Sequence, residues 1–252
     1  MNKMPPPKKS DTLSQSDKRD LCVIGTNETA DRITQFVERY NLFNIIGYAV
    51  DRKYINGDEF HGKPVWAIEE LEKYIDKEQC QLYVALFWNH LNGDRRRLYE
   101  RLKQENWQFA QIISPLASIR GSVGDNCWIM DYAVIQEGAV CGNNIIIADF
   151  CLVGNMAKID DHCFLGPKST IMGSAYVGKQ TFIGTNATIF DVVHIGNKCL
   201  VGACTIQKYD MPDCSTSKIL TNNIVIKNYS EEEIESKWVA KHPNRINKNR
   251  NN

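Results

Sequence analysis

The sequence predicts a small parallel α/β sheet followed by a parallel β-helix of hexapeptide repeats, and three observations carry the prediction. Short apolar runs alternate with helical stripes from Leu21 to about residue 116. From Val123 to Val201 every sixth residue is apolar. The residue two places before each of these is nearly always small. The expected organisation is a tail over 1–19, an α/β domain over 20–116, a β-helix over 117–212 and an extension over 213–252.

The opening "MNKMPPPKKSDTLSQSDKRD" is rich in Pro, Lys, Ser and Asp. It has too few aliphatics to offset the entropy of ordering, so it is expected to be disordered. "LCVIG" then reads as a buried strand ending at Gly25, and "TNETADRITQFVERY" as a helix with Ile33, Phe36, Val37 and Tyr40 on one face. "NIIGYAV" is a second strand closed by Asp51, and "WAIEELEKYI" a second helical stripe. "QLYVALF" is a third strand, "RRRLYERLKQEN" a further helix, and "FAQIIS" closes the α/β part. Strands alternating with helices give a parallel, Rossmann-like sheet.

The repeat runs through Val123, Ile129, Ile135, Cys141 and Ile147 and continues unbroken to Val201. All fourteen positions are apolar, where composition alone predicts about six. Twelve of the fourteen residues two places earlier are small, Cys127, Ala133, Ala139, Cys151, Ala157 and Cys163 among them. Small residues at tight corners with an aliphatic pointing inward every six describe a solenoid whose coils hold eighteen residues. Beyond it, Ser230 and Glu233 in "NYSEEEIESKW" have capping-box spacing and predict a short helix, and "KHPNRINKNRNN" reads as a basic tail.

Thirty Lys plus Arg balance thirty Asp plus Glu, so nothing in the global charge calls for nucleic acid or an acidic membrane surface, and a small-molecule substrate is expected. Nine cysteines without CxxC pairs fit reduced thiols in a cytoplasmic protein, with Cys127, Cys141, Cys151, Cys163 and Cys199 absorbed by the repeat. No apolar run is long enough to span a membrane. Gly25 is a single glycine where a dinucleotide fingerprint carries three, and Asp51 follows a strand where ribose-reading carboxylates sit, or serves as a turn residue. Asp160, Asp161 and His162 form a "DDH" that invites a metal reading. Three consecutive residues diverge, however, so no metal site is expected, and the trio reads as an exposed corner.

Val123-Gly124, Val153-Gly154, Leu165-Gly166, Val177-Gly178, Ile183-Gly184, Ile195-Gly196 and Val201-Gly202 together resemble the left-handed β-helix of hexapeptide acyltransferases. The order of α/β domain, "ISPLASI" and coils is similar to the sugar-nucleotide acetyltransferases of the bacillosamine, perosamine and sialic-acid O-acetyltransferase type, over roughly residues 20 to 212. That resemblance implies a homotrimer. It also implies a UDP- or TDP-amino sugar held by the N-terminal domain, and acetyl-CoA between adjacent helices. It places a catalytic histidine two residues after an inward aliphatic. Counted in register that aliphatic is Val153, so the position holds Asn155 and its partner position Met156. Gly173, one coil on, matches the glycine whose N–H serves the thioester oxyanion, with Ala175 beside it on the acetyl-CoA side. Gly25 and Asp51 match the positions that hold phosphate and base or ribose, while Phe87 and Trp88 stand where relatives have glycine and an aromatic.

Acyl transfer to a hydroxyl needs a base, whereas a neutral amine already has its lone pair. Asparagine at position 155 accepts a hydrogen bond but carries no proton away. The expected function is therefore N-acetylation of a nucleotide-linked 4-amino-4,6-dideoxyhexose. The alternatives are sugar O-acetylation, or a trimeric scaffold that binds the nucleotide sugar without catalysis. Glu137, one coil before Asn155, and His162, reaching a neighbour's cleft, are the candidate replacement bases, and Asp191 lies two coils beyond.

Overall fold

The computed structural model describes residues 18–219, which belong to one compact unit. Residues 1–17 of the tail expected over 1–19, and the helix expected near Ser230, lie outside the described residues. Among the described residues no helix is long and apolar enough to cross a membrane.

Leu21 to Ile24 are buried on both faces, so "LCVI" forms β1 (Asp20–Ile24) as an inner strand of a sheet, flanked by β2 (Asn44–Val50) and β5 (Cys80–Val84). α1 (Glu28–Tyr40) is capped by the Asn27 side chain, which accepts from the N–H groups of Thr29 and Ala30, and it ends at Asn41 with φ 55°. The sheet order is β3-β4-β2-β1-β5, with β3 (Glu59–Phe60) antiparallel to β4 (Lys63–Ala67) and every other pairing parallel. The expected parallel sheet thus carries an antiparallel edge. The chain steps from β1 to β2 to β4 and then returns to β5 on the other side of β1. Strand order therefore reverses beside β1, and a crevice opens beyond the carboxyl ends.

The helix expected over "WAIEELEKYI" forms differently. Trp66 and Ala67 pair with Ala49 and Val50 as the end of β4, and Ile68–Lys73 is a 3₁₀ turn. Its buried residues Ile68 and Leu71 are three apart, the repeat of the tighter helix. α2 (Gly93–Gln104) follows, and "FAQIIS" hands the chain over. Phe109 bridges to Leu82 in the sheet, while Ile112–Ile113 is already β6, the first strand of the solenoid.

From β6 to β23 (Thr216–Ser217) the chain forms two-residue strands in three parallel sheets of six, five and seven. Val153 pairs with Ile171 and Ile171 with Ile189, a coil of eighteen residues. At both ends the coil shortens: Ile113 pairs with Ile129, and Val201 with Ser217. The small residues do not sit at the corners as expected. Ala133, Ala157, Cys163 and Ala187 are fully buried and point inward with the aliphatic two places on, as strand alternation requires. The corner residue is the one before, with left-handed φ, for example 57° at Asn144, 60° at Met156 and 66° at His162. From Asn144 onward each corner N–H donates one coil back, Met156 to the Glu137 carbonyl at 3.1 Å and Ser174 to that of Asn155 at 2.8 Å, so these tight turns leave no orphan donor.

The outward side of β9 (Trp128–Ile129), β12 (Ile146–Ile147) and β15 (Phe164–Leu165) is apolar and buried beneath the α/β part. Phe36 meets Trp128 and Phe87 meets Phe164, edge to face at 5.6 and 5.2 Å. Of the three solenoid corners, the one carrying residues 142–144 and 160–162 lies under α2. The one carrying residues 154–156 and 172–174 is the vertex opposite the covered sheet.

Candidate functional site

Eighteen-residue stacking puts Glu137, Asn155, Gly173 and Asp191 on that opposite vertex. Asn155 is exposed; its N–H donates to Gln136 Oε1 at 3.0 Å and its carbonyl accepts from Ser174. Met156 is 62% exposed beside it. The Glu137 carboxylate pairs with Arg120 Nε at 2.6 Å. The Gly173 N–H donates to Asp191 Oδ1 at 3.0 Å, and a Cβ on Gly173 would stand 3.6 Å from the Asn155 carbonyl oxygen. Among the described residues Asp191 has no ion pair. Ala175 faces the solenoid interior, and its carbonyl accepts from Lys158, so its side chain offers nothing to a ligand.

His162 is elsewhere, and it is not an exposed corner residue. It is 6% exposed, roofed by α2, with the Tyr99 ring 5.7 Å away and Glu100 Oε1 3.5 Å from its Nε2. Its tautomer is set two coils away. The Val84 N–H donates to Asn126 Oδ1 at 2.8 Å, so Asn126 Nδ2 donates to Asn144 Oδ1 at 2.7 Å, which also accepts from Arg95 Nε at 3.1 Å. Asn144 Nδ2 then faces His162 Nδ1 at 2.9 Å, making Nδ1 the acceptor and leaving the ring proton on Nε2. Burial pushes the imidazole down to about 4 against the upward pull of Asp161 and Glu100, so the ring is neutral at physiological pH. Asp161 accepts from the Asn143 N–H and Asp160 from the Tyr176 hydroxyl, both within the solenoid. No cluster of three or more metal-ligating side chains occurs among the described residues.

Gly25 ends β1 with φ 138°, its N–H donating to Ala49, and a Cβ there would stand 3.2 Å from the Ala85 carbonyl. Beyond the strand ends lies a cleft of about 590 Å³ whose lining includes Asp51, Lys53, Tyr54, Phe87, Arg97 and Arg101. Asp51 pairs with Arg101 at 2.6 Å and Arg97 with Asp94. Lys53 Nζ sits 4.8 Å from the centre of the exposed Tyr54 ring. With Asp51 and Asp94 also in the lining and each paired to an arginine, Lys53 is the cation without a carboxylate partner among the described residues; beside the exposed Tyr54 ring it suits an anion carrying a planar ring. Trp88 and Phe87 pack onto Phe164, so the pair that departs from the expected glycine is spent on docking the two parts.

Sequence reasoning missed Arg95 and Asp191's link to Gly173. Arg95 looks like one of three surface arginines, yet it is fully buried and donates to Asn144, Cys163 and Phe87 carbonyl oxygens with no carboxylate partner. The vertex offers a backbone donor, a carbonyl and two carboxylates but no histidine. That set can orient an amine and receive a carbonyl oxygen.

No family model matches the chain, and no curated protein matches it. Solved structures do. The acetyltransferase domain of PglB from Neisseria gonorrhoeae, in complex with acetyl coenzyme A, aligns with a TM-score of 0.68 at 23% identity, covering 79% of this chain and 95% of that one. A histidine-to-asparagine mutant of perosamine N-acetyltransferase from Caulobacter crescentus, in complex with CoA and GDP-perosamine, aligns at 0.67 and 22%, covering 78% and 92%. WeeI from Acinetobacter baumannii aligns at 0.66 and 16%, covering 78% and 94%. At these identities the likeness is one of fold: an α/β domain joined to a left-handed β-helix.

Proposed function

We propose that the chain is an acetyl-CoA-dependent N-acetyltransferase of a nucleotide-linked amino sugar, with a 4-amino-4,6-dideoxyhexose as the preferred class. The observation that carries this is the pairing, in one fold, of a cleft at the α/β switch point lined by Lys53, Tyr54 and two paired arginines with a solenoid vertex bearing Asn155 and the Gly173 amide. Solved proteins of that fold hold acetyl coenzyme A in one case and CoA with GDP-perosamine in another, which supports the substrate class and adds GDP to the nucleotides to be tried.

In the proposed reaction the cleft binds the nucleotide and the vertex receives the thioester. Asn155 orients the sugar amine and accepts one of its N–H bonds, and the Gly173 N–H meets the carbonyl oxygen as it gains charge. A hydroxyl acceptor is disfavoured, because Glu137 is tied to Arg120 and His162 lies under α2. The covered sheet separates the cleft from the vertex of its own chain, so the cleft of one copy serves the vertex of another. Such a head-to-tail contact closes as a ring, and a homotrimer is the proposed form.

Purified protein mixed with acetyl-CoA and UDP-, TDP- and GDP-linked 4-amino sugars should release CoA with at least one of them. Release with none contradicts the proposal. One observation favours a non-catalytic scaffold, the Asp191 carboxylate on the Gly173 N–H. A thermal shift from the sugar nucleotide with none from acetyl-CoA is the signature of that reading.

A further inference from the structure

The Gly173 N–H has two claimants. It is one donor at the exposed vertex, and Asp191 Oδ1, one coil on, occupies it at 3.0 Å. A thioester oxygen accepting the same hydrogen would stand at a similar distance and exclude that carboxylate oxygen. A carboxylate left beside a developing oxyanion would also oppose it. Elsewhere in the solenoid the same bond is purely architectural: the Asn143 N–H donates to Asp161 and the Lys179 N–H to Asn197, each one coil on. On this vertex the acceptor is an exposed carboxylate with no cation among the described residues, whereas Glu137, three coils away on the same vertex, pairs with Arg120.

We infer that Asp191 is the specificity-determining anchor for the acceptor amine: the substrate's ammonium group draws its carboxylate off Gly173 and thereby frees the oxyanion donor. The inference rests on the N-acetyltransferase reading proposed above. A displaced carboxylate needs a new donor, and an ammonium supplies three N–H bonds and a charge where a sugar hydroxyl supplies one and none. Only an amine-bearing acceptor therefore opens the site. The ammonium next gives one proton to water, and the neutral nitrogen attacks the thioester carbon. The new C–N bond forms as the C–S bond breaks, and a second proton passes from nitrogen to the departing sulfur. The products are the acetamide, CoA thiol and one proton in solution.

The inference carries a trade-off that a merely structural Asp191 would not show. A carboxylate beside the ammonium strengthens binding but raises the pH at which the amine becomes neutral. The test is Asp191→Asn, which keeps Oδ1 as an acceptor for Gly173 and removes the charge. The KM for the amino-sugar nucleotide should rise roughly tenfold, while that for acetyl-CoA stays within about twofold. The acid limb of kcat should move to lower pH. In calorimetric titrations with CoA present, wild-type preference for the amino sugar over its hydroxyl analogue should shrink in the variant. If the wild type turns over and the variant matches it in KM, pH profile and preference, this inference is overturned and the functional reading stands. If the wild type releases no CoA, the functional reading falls and takes the inference with it.

Discussion

At the scale of single residues, the "DDH" that draws the eye in the sequence is architecture. His162 extends a ladder of buried amides, and its protonation is linked to stability rather than to turnover. Its folded value lies near 4 and its unfolded value near the usual 6.5, so as pH falls through that window the unfolded chain takes up the proton first. This contribution to stability is full above about pH 6.5, declines toward pH 4 and is flat below. His162→Asn offers Oδ1 to Asn144 in the same register and suits the left-handed corner, so urea melts should show a shallower loss between pH 6.5 and 4 and unchanged activity. Val192 is the opposite case, a β-branched residue at φ 58°, 76% exposed, immediately after Asp191. Val192→Asn should raise stability by about 1 kcal/mol, measured as a higher denaturation midpoint. The inward positions were legible because side-chain volume repeats every six. The hydrogen-bond partners of Asp191 and His162 were not, because they join residues a full coil or more apart.

Among the elements, α2 fastens the α/β part to the solenoid through groups that sequence pattern ranks as surface. Arg95, Asn92 and Tyr99 reach Cys163, Thr181 and Asp125 from one face of the helix. Arg95→Met removes five donors from carbonyl and amide oxygens, those of Asn144 and Cys163 buried, and should cost about 3 kcal/mol in unfolding free energy. Arg96, one residue along and 33% exposed with Glu100 as its partner, should tolerate the same change with little effect. Helical periodicity marked "RRRLYERLKQEN" correctly as a helix but could not say which arginine faces inward. Leu98 and Leu102 suggest a face, yet the burying surface is a polar corner of another element. "WAIEELEKYI" failed for a related reason: pairing with β2 captured its first residues before helical spacing could act.

For the whole molecule, seven of the nine cysteines are buried and only Cys204 and Cys214 are exposed. Cys151 and Cys163 donate to Gly166 and Gly178 carbonyls at 3.1 Å, and burial pushes their thiols up to about 11 and about 12. A thiol reagent should therefore titrate two groups on the native protein and nine after unfolding; rapid reaction of more than two would contradict the packing. The repeat made the solenoid legible, yet which face would be covered depended on the α/β part docking onto Trp128, Ile146 and Phe164. That docking also puts the charged cleft on the covered side and the Asn155 vertex on the other, so the proposed reaction runs between copies. The most direct test co-expresses two damaged forms, Arg97→Glu in the cleft and Asn155→Trp on the vertex, each inactive alone. In the proposed trimer, random mixing gives about a quarter of sites an intact cleft with an intact vertex, so CoA release should return to roughly a quarter of the wild-type rate. An active wild type whose two variants never restore one another would place the reaction within a single chain.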